Sequence, residues 1–152
     1  VGDIMAVLTA VGIVLWLIAL CAFDIRRRRL PNVLTLPGAV VILVGAALAG
    51  EGVAAAAGGV ALFGCYAAVH LAAPASLGAG DVKLALGVGA LTGAFGADAW
   101  LLGALGASLL TGLLGLVAVM RGDRGTLPHG LSMCTAAAVA VSGAALGSPA
   151  GW

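Results

Sequence analysis

Thirteen formal charges divide the 152-residue chain into long neutral stretches, and their spacing limits the fold more than any other feature. No charge falls between Asp3 and Asp24, and further gaps run over 30–50, 52–80, 84–97, 99–120 and 125–152. A helix needs roughly 20 apolar residues to cross a hydrocarbon core about 30 Å thick. Five of the gaps meet that length, and the fourth, at 14 residues, falls short. Charged residues make up 9% of the chain, whereas a soluble domain carries about 25%. That deficit excludes a water-soluble globular domain, a disordered tail and a nucleic-acid binder. Twenty-five glycines without a Gly-X-Y period exclude a collagen-like chain.

Ala, Leu and Gly dominate, and no period-two alternation persists, so helices are expected rather than strands. The pattern predicts an all-α integral membrane protein, a bundle of six transmembrane helices. They fall near 4–23, 33–49, 53–73, 82–97, 99–120 and 129–147, the fourth short, in one polytopic domain over 1–152. Arg26 to Arg29, Lys83, Arg121 and Arg124 all fall in odd-numbered connections. The opposite face holds Asp3, Glu51 and Asp98 and no basic residue. By the positive-inside rule the basic face is cytoplasmic and both termini are non-cytoplasmic. A cleaved signal peptide over 1–23 would need positive charge before its apolar run, and here the arginines follow it.

Small residues allow membrane helices to approach closely, and Gly89 with Gly93 and Gly103 with Gly106 are candidates for such packing. Cys21, Cys65 and Cys134 stand singly in apolar stretches without a C-x-x-C pair. They read as small buried helix residues, not as a zinc module or disulfide framework.

Of the six acids, Asp3, Glu51 and Asp98 mark helix ends, and Asp123 lies beside two arginines in the hydrophilic turn RGDRG. Asp24 and Asp81 are placed differently. Asp24 directly follows an apolar helix, and Asp81 closes Gly78-Ala79-Gly80-Asp81 and opens the shortest helix. The start of a short helix is expected to lie within hydrocarbon depth, where a carboxyl is costly and by default marks function. Both acids fall on one face of the membrane, and two carboxyls at one site suggest an aspartyl dyad sharing a proton. The alternative reading of Asp24 is a helix-end anchor, and that of Gly78 and Gly80 an ordinary loop. Gly78 and Gly80 would let the backbone bend and a substrate segment approach. Pro31 and Asn32 would end the arginine loop and start the second helix, with Asn32 as its cap.

These residues together resemble the prepilin peptidase (type IV leader peptidase) family. Asp24-Ile-Arg-Arg-Arg-Arg-Leu-Pro31-Asn32 looks like its first motif, and Gly78-Ala-Gly-Asp81-Val-Lys83-Leu like its GxGD motif. Leu127-Pro128-His129-Gly130 is a looser likeness to the family's Pro-Phe-Gly-Pro, with His129 for Phe and Leu131 for Pro. The resemblance implies a membrane aspartic endopeptidase of the inner (cytoplasmic) membrane. It would cut the basic N-terminal leader from type IV or Flp-like prepilins or pseudopilins on the cytoplasmic side. Asp24 and Asp81 would be catalytic, with Pro31, Asn32, Gly78, Gly80 and Lys83 in support. Pro128, His129 and Gly130 are candidates to line the cleft. Larger members carry a four-cysteine N-terminal segment that methylates the product. No cysteine pair matches it here, so leader cleavage without methyltransferase activity is expected.

No cofactor and no metal are expected, since His70 and His129 form no H-x-x-x-H pair. The expected partners are precursor peptides and the lipid bilayer, with no nucleic acid. Helix polarity suggests Asp81, at a helix N-terminus, as the base and Asp24, after a helix C-terminus, as the acid. Lys83 is expected to snorkel to the interface, and Arg26 to Arg29 to set topology. The competing readings are another GxGD intramembrane protease, preflagellin-type or presenilin-like, a small transporter or proton-relay subunit, and an inactive anchor.

Overall fold

A computed structural model describes residues 2–27, 30–75, 77–122 and 129–147. The described residues form six α-helices and no strand: α1 (Gly2–Arg27), α2 (Asn32–Leu48), α3 (Gly52–Ala72), α4 (Ala79–Ala94), α5 (Ala97–Met120) and α6 (His129–Gly147). Four of them, α1, α3, α5 and α6, are long and apolar enough to cross a membrane. The 17 residues of α2 and the 16 of α4 span about 26 Å and 24 Å at 1.5 Å per residue. The chain is an all-α membrane protein. Its outer surface carries exposed Ile, Val and Leu on α1, α2 and α5, as lipid rather than water requires.

Two of the helix boundaries that differ from expectation bear on the acids. α1 runs on to Arg27, because Asp24-Ile25-Arg26 contains no breaker and arginines near a helix C-terminus complement its dipole. Asp24 therefore lies inside the last turn of α1 rather than after it. α4 begins at Ala79, with Gly78 in extended backbone as its N-cap, so Asp81 occupies the first turn.

The short helix is the central one. Val82, Leu84, Ala85 and the whole run Gly87–Gly93 are buried, and α4 packs against α3, α2, α6 and α5. A helix surrounded by protein needs neither the length nor the apolar surface of a lipid-facing span. Its closest neighbour is α3, through glycines on both sides. A methyl group placed on Gly58 would stand 2.5 Å from the carbonyl oxygen of Gly89 and 2.9 Å from Cα of Gly93. Gly89 and Gly93 thus form the expected packing pair. Gly103 and Gly106 do not share a seam: Gly103 faces Thr92 of α4, and Gly106 faces Ala136 of α6.

Tryptophans tie the layers together at opposite ends. Trp16 of α1 donates its indole N–H to the Leu34 carbonyl of α2 at 2.9 Å, its ring filling the space left by Gly38 and Gly87. Trp100 of α5 donates to the Gly58 carbonyl at 2.9 Å. The cysteines divide: Cys134 is buried, Cys21 partly so, and Cys65 exposed. Cys65 does not fit the expectation of a buried helix residue because it lies on the outward face of α3.

Candidate active site

Hydrogen bonds at one end of the bundle join the end of α1 to the start of α6, and the start of α2 to the start of α4. The helices therefore alternate in direction. Arg26, Arg27, Lys83 and Arg121 collect at this end, and Glu51 and Asp98 lie at the other.

Between the helix ends opens a cavity of about 280 Å³, lined by Asp24, Leu30, Asn32, Gly78, Ala79, Gly80, Asp81 and Lys83. The two acids singled out from sequence thus share one cavity, together with four of the five supporting residues. The fifth, Pro31, lies just outside it. Pro31 stands in extended backbone (φ −70°, ψ 134°) at the N-cap of α2, and its carbonyl accepts the N–H of Leu34 at 3.0 Å and of Thr35 at 3.2 Å.

Asp24 is buried, only 6% exposed. Its Oδ2 accepts the backbone N–H of Leu131, in the first turn of α6, at 3.0 Å. The first-turn amides of a helix lack intrahelical partners, so a carboxyl oxygen satisfies one of them. Gly130 leaves little room beside this contact. A methyl group there would come within 3.0 Å of Asp24 Oδ2 and 3.1 Å of its carboxyl carbon, so the carboxyl would have to give by a few tenths of an ångström. Asp81 sits in the first turn of α4, half-buried, where its own N–H bonds the Gly78 carbonyl at 3.1 Å. Both carboxyls therefore stand at helix N-termini, Asp81 at its own and Asp24 at that of α6. Helix polarity no longer separates a base from an acid, because the expectation counted only the helix that carries each residue.

The glycines of the second motif act through packing rather than backbone freedom. Gly78 has φ −71° and ψ 146°, which any residue adopts. Its hydrogen faces Asp81, where a methyl group would lie 3.3 Å from Oδ2. Gly80 brings α4 against Leu30, whose Cβ would be 3.3 Å from a methyl group at that position. His70, near the end of α3, pairs through Nδ1 with the Leu77 carbonyl at 2.7 Å and so anchors the segment that leads into Gly78.

Several expectations need correcting. The N-cap of α2 is Pro31, and Asn32 is the first residue inside the helix. Its Oδ1 instead accepts a hydrogen bond from Lys83 Nζ at 2.9 Å, joining the first motif to the second across the cavity mouth. Lys83 thus ends on an acceptor at the exposed end of the cavity. His129 is not a lining residue, and its ring turns to Tyr66 and Thr111. Gly130 meets Asp24 from behind. Pro128, Arg28 and Arg29 lie outside the described residues. Sequence reasoning missed Leu30 as a wall, and Leu131, whose backbone amide carries no side-chain signal. No cluster of three or more potential metal ligands occurs among the described residues.

A family model described as the type IV leader peptidase family matches residues 11–120. The match takes in both aspartates and stops before α6. No curated protein and no solved structure matches the chain.

Proposed function

Because this chain belongs to the type IV leader peptidase family, we propose that it cleaves the basic N-terminal leader of type IV or Flp-like prepilins or pseudopilins, using Asp24 and Asp81 as an aspartyl dyad. The observation that carries this reading is the single cavity lined by both carboxyls. In the proposed reaction one carboxylate takes a proton from water, which attacks the scissile carbonyl, while the protonated partner donates to the carbonyl oxygen. Collapse of the tetrahedral intermediate breaks the C–N bond, and the new amine leaves with a proton from the dyad. The pair exchanges its proton as a unit. Asn32 and Lys83 keep the mouth of the cavity in shape through their mutual bond. Arg26, Arg27, Lys83 and Arg121 lie at the same end of the bundle, which supports a cytoplasmic active site in the inner membrane.

The test is co-expression with a leader-bearing precursor, read by electrophoretic shift and by the N-terminal sequence of the product. Cleavage by the wild type, and its loss in Asp24→Asn and in Asp81→Asn with both variants present in the membrane, is expected. Cleavage that survives either substitution would sink the dyad. A proton-relay subunit would lose ion flux and leave the precursor untouched.

A further inference from the structure

The first turn of α6 sets the position of Asp24. Leu131 holds its Oδ2 at 3.0 Å, and Gly130 lies flush against its carboxyl carbon. Intrahelical bonds fix that turn to the rest of α6, but its placement between neighbouring helices has to come from side chains. His129, the first residue of the helix, supplies two such contacts. Its Nδ1 pairs with Thr111 Oγ1 of α5 at 2.7 Å, and its Nε2 with the Tyr66 hydroxyl of α3 at 3.0 Å. The Tyr66 and His129 rings lie 5.5 Å apart, centre to centre, at 37°. A neutral imidazole donates from one nitrogen and accepts at the other, so one ring bridges two hydroxyls on two different helices.

We propose that His129 is a positioning residue: it clamps the start of α6 between α3 and α5 and, through Gly130 and Leu131, holds the Asp24 carboxyl at the cavity. The placement stands on geometry alone, whereas its effect on rate rests on the peptidase reading. The proposal separates the shape of the ring from its two nitrogens. Phenylalanine keeps the ring and loses both bonds, while glutamine loses the ring and keeps one donor and one acceptor.

Steady-state kinetics of the full chain in detergent, on a leader-bearing precursor, tests the clamp. His129→Phe is expected to lower kcat about tenfold or more with KM within about twofold, since small displacements of a catalytic group cost rate rather than binding. His129→Gln is expected to recover most of the loss, and Tyr66→Phe, which removes one oxygen atom, to fall between. A wild-type kcat in His129→Phe, or a glutamine variant no better than the phenylalanine one, overturns the proposal. Hydrogen exchange at the Leu131 amide gives a second readout that needs no cleavage. It should quicken about tenfold in His129→Phe and return toward wild type in His129→Gln, and unchanged exchange overturns the clamp. A wild-type protein that cleaves nothing would defeat the peptidase reading and leave this second readout to decide. Should His129→Phe fail to accumulate in membranes, Tyr66→Phe decides by the same two measurements.

Discussion

A buried carboxyl needs partners, and Asp24 finds one in the peptide backbone of a helix 107 residues further along the chain. Its dependence on that amide distinguishes two substitutions. Asp24→Asn keeps an oxygen that accepts from Leu131, so the fold should persist while cleavage stops. Asp24→Ala leaves the amide without a partner and should lower stability by about 1–3 kcal/mol as well, measured as a fall in thermal midpoint in detergent. Gly130→Ala should lower cleavage without loss of protein from the membrane, because its methyl group would displace the carboxyl it touches. Asp24 and Asp81 stood out in the sequence because each interrupts or borders a long neutral run. Leu131, Leu30 and the Asn32–Lys83 bond did not, since backbone donors leave no trace in residue type and partners 51 positions apart meet only in the folded bundle. Asn32 illustrates the loss: its position at a helix start suggested a cap, and the lysine across the cavity took its side chain instead.

At the scale of elements, the seam between α3 and α4 decides where Asp81 stands. Gly58→Ala would drive a methyl group into the backbone of Gly89 and Gly93, and overpacking of this kind costs about 1–3 kcal/mol. Thermal unfolding in detergent should show the loss. Gly64→Ala, on the same helix with nothing within 4 Å of the added carbon, should be neutral or slightly stabilising, since alanine favours helix. Helix count was legible from the charge gaps, and five of the six starts fall within two residues of expectation. The start of α4 lies three residues ahead of expectation because Ala79 and Gly80, read from sequence as loop, form its first turn behind the Gly78 N-cap. α1 runs past its expected end because charged residues that mark the end of an apolar run also fit the last turn of a helix.

At the scale of the whole molecule, alternating helices bring the described basic residues Arg26, Arg27, Lys83 and Arg121 to one end. With the native cysteines replaced, a cysteine introduced at Gly50 should react with an impermeant maleimide in intact cells. One at Gly122 should react only after permeabilisation. The reverse pattern would place the cavity outside. The shared cavity is a property of the bundle, since its walls come from α2, α4, the end of α1 and the connection that carries Leu30. The most direct measurement is a double-mutant cycle on precursor cleavage by purified protein, comparing Asp24→Asn, Asp81→Asn and the two combined. Two carboxyls acting as one unit predict that each single variant is as inactive as the double. Losses that simply multiply, or one single variant that still cleaves at the wild-type rate, would contradict it.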